Sequence, residues 1–106
     1  PPHGCVVLAH AENAVIGCIA FRRHDQLICE MKRLYVRPEG RGRGVGRRLV
    51  EHAIGIAQDL GFAEIRLDVL SEFEHAQRLY ATFGFRNAAP ISVNPIKGTQ
   101  FLGLKL

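Results

Sequence analysis

A short run of glycines and arginines is the part of the chain best suited to chemistry. Its glycines are Gly40, Gly42, Gly44 and Gly46, and its arginines are Arg41, Arg43, Arg47 and Arg48. A helix that begins in such a run presents N–H groups without intrahelical partners and the positive end of its dipole. Glycines let an anion approach the backbone closely, and arginines add charge and forked donors. The run therefore predicts a phosphate cradle.

Two familiar phosphate-binding motifs do not fit this run. A P-loop ends in Gly-Lys-Ser or Gly-Lys-Thr, but Gly46 is followed by two arginines. The dinucleotide fingerprint G-x-G-x-x-G fails from Gly40, because Val45 stands where its third glycine belongs. The frame that starts at Gly42 fails in the same way at Arg47. The cradle is therefore of another type.

The run resembles the Gln/Arg-x-x-Gly-x-Gly/Ala signature of the GNAT superfamily of N-acetyltransferases, which bind acetyl-CoA. The matching residues are Arg41, Gly42, Arg43, Gly44, Val45 and Gly46. Residues 76–85 are similar to a second motif of that family, A-x-x-L-Y-x-x-x-G-F. Glu30 lies upstream at the spacing of the family's frequent general base. The resemblance extends from about Cys5 to the C-terminus, and the run at 94–99 is closer to bacterial small-molecule acetyltransferases than to histone-modifying ones.

The resemblance implies a role for several residues. Glu30 would remove a proton from a primary amine, which would attack acetyl-CoA directly in a ternary complex without an acyl-enzyme. A backbone N–H near Leu34, Tyr35 or Val36 would polarise the thioester carbonyl. Tyr80 would protonate or steady the leaving thiolate. Acetyl-CoA, the cosubstrate, would contact these three strand residues and the six signature residues, and no metal is implied.

Other interpretations of the same residues stay open. The arginines, with Lys32 and Arg33, could grip nucleic-acid phosphates, although the chain interleaves no aromatic side chains with them. The domain could also bind CoA and regulate a partner without catalysis. Glu30 could be a solvated charge on an edge strand, and Tyr80 could be a core tyrosine on an amphipathic helix.

The elements that must position these residues follow from the hydrophobic pattern. Strands are predicted at residues 5–9, 14–23, 27–36, 63–70, 85–87 and 99–106, and helices at residues 44–60 and 72–83. The first three strands would form an antiparallel meander. The strand–helix–strand order then predicts parallel pairing of the strands at 27–36 and 63–70. The fold class is α/β: a mixed, mainly antiparallel sheet with two main helices in one domain, residues 1–106.

The resemblance adds the acyl-CoA N-acyltransferase (GNAT) fold in an N-terminally shortened form. That fold usually begins with one more strand and two helices, and we expect them to be absent here.

In the helix predicted at residues 72–83, Ser71 is the expected N-cap with Glu74 as its capping-box partner. Phe73 takes the position where many family members have a cofactor-contacting asparagine, and it is expected to pack instead.

Composition limits the partners. The chain has 106 residues, a net charge of +4 and a pI near 9.4, which favours anionic ligands. Its apolar runs are too short to span a bilayer.

Cys5, Cys18 and Cys29 have no C-x-x-C spacing, so they predict free thiols in a reducing, cytoplasmic compartment. No pair of the five histidines has the i, i+4 spacing of a metal site. The expected partner is a small-molecule or peptide amine, with membrane and nucleic acid disfavoured and a homodimer left open.

Overall fold

The computed structural model describes residues 4–11, 14–90 and 97–106. Its strands are β1 (Gly4–Ala11), β2 (Ala14–Arg23), β3 (Ile28–Val36), β4 (Glu64–Leu70), β5 (Arg86–Asn87) and β6 (Thr99–Lys105). Its helices are α1 (Val45–Asp59) and α2 (Glu74–Thr82), with a short 3₁₀ turn at Pro38–Gly40. Residues 94–96 of the C-terminal run considered above lie outside the described part of the chain.

The strands form one six-stranded sheet in the order β1-β2-β3-β4-β6-β5. β1, β2 and β3 pair antiparallel, β3 pairs parallel with β4, and β6 is antiparallel to both of its neighbours. The predicted meander and the predicted parallel pair are therefore confirmed. The mixed sheet with two helices confirms the predicted fold class.

The turn between β2 and β3 sets the register of that hairpin. The Asp25 carboxylate accepts hydrogen bonds from the backbone N–H groups of Leu27 at 2.8 Å and Ile28 at 2.7 Å. These bonds hold the pKa of Asp25 below its ordinary value. The resulting register places Arg22 directly opposite Glu30 and Phe21 directly opposite Met31.

The core lies on one face of this sheet. α1 buries an apolar stripe against the face that carries Phe21, Cys29 and Met31, and Tyr80 of α2 belongs to the same core. The stripe consists of Val45, Leu49, Val50, Ala53 and Ala57. Because strand side chains alternate, Arg22 and Glu30 lie on the opposite face. Neither helix of the described ranges packs on that second face.

The start of α2 differs from the prediction. The helix begins at Glu74, and its N-cap is Phe73, which makes no side-chain cap bond. The Gln77 amide instead donates to the carbonyls of Leu70 at 3.1 Å and Ser71 at 2.8 Å. Phe73 is 54% exposed, so the expectation that it packs is wrong. The reason is that its backbone is not helical (φ −87°, ψ 69°), which takes its side chain off the packed face.

Candidate functional site

A cleft of about 800 Å³ opens where β3, the glycine-rich loop and the two helices meet. The end of β3 contributes Leu34, Tyr35 and Val36. The loop and the start of α1 contribute Gly40, Arg41, Gly42, Gly44, Val45, Gly46 and Arg47, and α2 contributes His75, Ala76, Arg78, Leu79 and Thr82. The structure therefore brings together strand and loop residues that are predicted to bind one ligand.

The loop has the backbone conformation that a cradle needs. Gly42 and Gly44 have φ values of +77° and +74°, in the left-handed region that favours glycine. Gly44 is the N-cap of α1, and the first helical bond runs from the N–H of Arg48 to its carbonyl at 3.1 Å. The N–H groups of the first turn precede that bond and have no partner within the helix. No acidic side chain lies in this turn, so the positive end of the helix dipole is available to an anion.

The cleft exists because β3 and β4 separate. Their parallel pairing covers Ile28, Cys29 and Glu30 and stops there, although β3 continues to Val36. The register with β2 also shifts opposite Cys18–Ala20, and Arg33 has a positive φ of 59°. A bulge of this kind bends a strand and redirects its side chains. The last residues of β3 thus line an opening in the sheet.

Contacts hold the two rims of the cleft in place. Nε of Arg41 donates to the carbonyl of Val36 at 3.1 Å, which fastens the loop to the end of β3. Arg47 donates to Oγ1 of Thr82 at 2.9 Å, and its guanidinium lies 5.0 Å from the ring centroid of Phe83. The start of α1 is therefore fixed to the end of α2.

The charge of the cleft has one sign. Among its described lining residues are Arg41, Arg47 and Arg78, with His75 beside them, and none is acidic. Glu74 approaches Arg78 at 4.0 Å, but both side chains are largely exposed, so this ion pair is weak. The lining also has an apolar part in Leu34, Val36, Ala76 and Leu79. The cleft is suited to an elongated ligand with an anionic portion and an apolar arm.

Glu30 lies outside the cleft lining, at the point where β3 leaves β4. It is the one buried charged residue of the described chain, with 3% exposure. Its Oε1 accepts from Nε and Nη2 of Arg22 at 3.3 and 3.2 Å, and its Oε2 lies 3.6 Å from Nζ of Lys32. The interpretation of Glu30 as a solvated charge is therefore wrong, because the carboxylate is buried and held by two cations.

Tyr80 is buried beside the cleft rather than exposed in it. Its ring lies 5.5 Å from that of Phe85, and burial raises its pKa to about 12. Its neighbour Leu79 lines the cleft, whereas Tyr80 belongs to the core. The phenol stays protonated at neutral pH, so its O–H is available there to donate a hydrogen bond.

The structure separates the predicted binding residues into two groups. All of them line the cleft except Arg43, which is exposed on the loop. Gly40 and Arg47 also line the cleft; they belong to the predicted cradle run but not to its six signature residues. The sequence interpretation missed the α2 residues of the lining, which are His75, Ala76, Arg78, Leu79 and Thr82. The helical spacing of residues 75, 76, 79 and 82 defines one face of α2 and could have indicated them.

A comparison with protein families decides the family. The model of the acetyltransferase (GNAT) family matches residues 1–85. The chain belongs to this family. The recognition made from the glycine-rich run and the second motif is thereby confirmed.

Relatives of this GNAT chain are longer than it is. It is 40% identical over 108 residues to an uncharacterized N-acetyltransferase of Schizosaccharomyces pombe, covering 100% of the chain and 66% of that relative. It is 39% identical over 54 residues to thialysine N-epsilon-acetyltransferase of Sus scrofa, covering 51% of the chain and 32% of that relative. The chain therefore spans less than two thirds of the length of these relatives.

Solved structures share the GNAT fold. A GNAT family acetyltransferase from Elizabethkingia anophelis, with acetyl-CoA bound, has a TM-score of 0.84 and 23% identity, covering 98% of this chain and 77% of its own. The PaiA N-acetyltransferase from Thermoplasma acidophilum, in complex with coenzyme A, has a TM-score of 0.85 and 23% identity, covering 98% of this chain and 62% of its own. These similarities establish the fold of the chain.

No helix in residues 4–11, 14–90 and 97–106 combines the length and apolar character needed to cross a bilayer. Within the same residues, no three His, Cys, Asp or Glu side chains are grouped so that they could hold a metal ion.

Proposed function

We propose that this GNAT domain transfers an acetyl group from acetyl-CoA to a primary amine, by direct attack of the amine in a ternary complex. The observation that carries the proposal is the cleft, which joins an anion-binding helix start to an opening in the sheet. Acetyl-CoA supplies the thioester. It is bound in the Elizabethkingia anophelis structure named above, and coenzyme A is bound in the Thermoplasma acidophilum structure.

The lining residues fit acetyl-CoA in both of its parts. The glycines of the loop and the first-turn N–H groups of α1 would receive its phosphates, with Arg41 and Arg47 as counter-charges. Leu34, Val36 and Leu79 would pack along the less polar pantetheine arm. The absence of acidic side chains among the described lining residues favours such an anionic ligand over a cationic one.

Glu30 is the proposed base. A lysine-like amine has an ordinary pKa of about 10.4, so its proton must be removed before the nitrogen can attack. Glu30 is the last residue of β3 that pairs with β4, so the opening between the two strands begins there. It lies four residues before Leu34, the first β3 residue of the cleft lining. A carboxylate at that place can take the proton directly or through a water molecule.

Tyr80 is the proposed donor to the leaving thiolate. A thiol ionises near pH 8.5, whereas the pKa of Tyr80 is about 12. Complete proton transfer from this phenol to a thiolate would therefore cost about 5 kcal/mol. Of the two roles predicted for Tyr80, steadying the thiolate with a hydrogen bond is favoured over protonating it.

The side chains of the cleft favour direct attack over an acyl-enzyme. The Thr82 hydroxyl donates a hydrogen bond to the carbonyl of Leu79 at 2.6 Å and accepts one from Arg47. Its proton is therefore already engaged, which does not suit a nucleophile. Cys29 lies in the core, and burial raises the pKa of its thiol to about 11, which makes it a poor nucleophile at neutral pH.

The proposed function is tested by following thiol release from acetyl-CoA in the presence of a primary amine. Release that requires both the protein and the amine, with a matching acetylated product by mass spectrometry, supports the transfer. Binding of acetyl-CoA without any release would favour a catalytically silent CoA-binding domain instead.

A further inference from the structure

The face of the sheet that neither α1 nor α2 covers carries a cationic pair beside the proposed base. Arg22 and Lys32 both contact the Glu30 carboxylate, one across the strand pair and one along β3. Glu30 is 3% exposed, but the side chains of Arg22 and Lys32 are 62% and 33% exposed. The solvent-exposed groups at this place are thus the two cations rather than the carboxylate. Arg22, Lys32 and Glu30 together have a formal charge of +1.

Arg66 is another charged group on this face, and it is engaged by partners other than Glu30. Arg66, the β4 neighbour of Glu30, forms an ion pair with Glu64 and donates to the carbonyl of Ala89 at 2.7 Å. Its side chain lies across Gly103 of β6, away from β3. Asp68 lies farther along β4, across the opening where the strands have parted. Arg22 and Lys32 therefore dominate the charge on the β3 side of the opening.

We infer that the acceptor is an amine that also carries an anionic group, such as a carboxylate, which Arg22 and Lys32 bind while the amine lies at Glu30. This inference rests on the proposed acetyl transfer and names its substrate class. A simple amine is itself a cation and would lie beside two cations at Glu30, and a diamine or basic peptide brings further positive charge. An anionic group on the acceptor turns that repulsion into an ion pair, and the planar guanidinium of Arg22 matches a carboxylate.

The selectivity can be measured by calorimetry on the complex with coenzyme A, which has no acetyl group to transfer. The probes are 4-aminobutyrate, butylamine and 1,4-diaminobutane, together with their six-carbon analogues. They present the same amine with an anionic, a neutral or a cationic far end. We expect the amino-carboxylate of at least one length to bind at least ten-fold more tightly than the matching monoamine, with the diamine weakest.

Variants separate charge selection from folding. Arg22→Gln should reduce the preference for the amino-carboxylate to below three-fold, and Arg22→Lys should retain most of it. Arg86→Gln is the matched control, because β5 lies four strand spacings from β2, about 19 Å away. Melting temperatures of all variants report whether the fold is kept.

Tightest binding of the diamine, no binding of any probe, or a preference unchanged by Arg22→Gln would overturn the inference. Thiol release from acetyl-CoA, measured separately, distinguishes this failure from failure of the proposed function. Release with monoamines and diamines but no preference for amino-carboxylates would refute the acceptor class alone. A preference without release under any condition would support the binding site and refute the transfer.

Discussion

Arg22 donates two hydrogen bonds from Nε and Nη2 to a single oxygen of Glu30, at 3.3 and 3.2 Å. The two residues face each other across β2 and β3, so the strand register fixes the pair. This contact occupies Oε1 and leaves Oε2 with the longer 3.6 Å contact to Lys32. The carboxylate is therefore held in one orientation with one oxygen less strongly engaged, which suits a base that must accept a proton.

Replacing Glu30 tests that role. We expect Glu30→Gln to lower kcat by about 100-fold, since positioned general bases contribute on this scale. The dissociation constant for acetyl-CoA should change less than two-fold, because Glu30 does not line the cleft. Steady-state kinetics and calorimetry measure the two effects.

The control for this prediction is Glu64→Gln. Glu64 also forms an ion pair with an arginine on the same face of the sheet, but it lies at the start of β4, before the opening. Its replacement should leave kcat within about three-fold of the native value. An undiminished kcat in Glu30→Gln would remove Glu30 as the base.

Two helical glycines of α1 provide a matched test of the cradle. A Cβ atom at Gly46 would lie in the cleft lining, 3.5 Å from Cδ2 of Leu79, which is an ordinary contact. A Cβ at Gly55 would have nothing within 4 Å. Valine is a better helix former than glycine, and melting temperatures of both variants show whether the fold is kept.

We therefore expect Gly46→Val to weaken acetyl-CoA binding by at least ten-fold and Gly55→Val to leave it unchanged, both measured by calorimetry. Gly44 is a less informative site, because its φ of +74° would strain a valine by about 1–2 kcal/mol whether or not a ligand binds there. Native affinity in Gly46→Val would contradict the cradle.

Tyr80→Phe removes one hydroxyl and keeps the ring that packs near Phe85. We expect a lower kcat, by about ten-fold if the lost hydrogen bond to the thiolate is worth about 1.5 kcal/mol. The melting temperature should change little because the apolar contacts remain. An unchanged kcat would make Tyr80 a core residue only.

Stability should fall at alkaline pH. Burial raises the pKa of Cys29 from 9.0 to about 11 and that of Tyr80 from 10.0 to about 12. Between pH 9 and 12 the unfolded chain releases protons that the folded chain retains, so the free energy of unfolding decreases as pH rises. Each group accounts for a loss of roughly 3 kcal/mol once pH exceeds its folded pKa.

Urea unfolding between pH 8 and 11 measures this loss. Cys29→Ala should be less stable at pH 8 because of the cavity it leaves, but its stability should fall less steeply between pH 9 and 10. A slope equal to that of the native chain in this interval would contradict the assignment to Cys29.

The strand–loop–helix unit could be predicted because its signals are local. Pro38 follows the strand, glycines occupy the turn, and the apolar spacing changes to a helical period at Val45. Glu30 and Arg22 could also have been paired from the sequence, since they lie at equal distances from Gln26 in the turn between the strands. The sequence interpretation did not use that symmetry.

The rest of the site depends on tertiary contacts that local patterns do not encode. The face of α2 that lines the cleft is fixed by contacts such as that between Arg47 and Thr82, which are 35 residues apart. Ser71 was a reasonable N-cap by type, but its N–H bonds to the carbonyl of Gly98 and the helix starts later. The Gln77 side chain satisfies carbonyls at the end of β4 in this arrangement.

The glycine-rich loop and the start of α1 are the proposed binding site of acetyl-CoA. Calorimetric titration with acetyl-CoA, and with a short DNA duplex at the same salt concentration as a control, measures whether this site binds the cosubstrate. We expect saturable binding of acetyl-CoA at one site and no comparable binding of DNA. Salt-sensitive binding of DNA without binding of acetyl-CoA would contradict it and make the arginines of the loop a nucleic-acid contact.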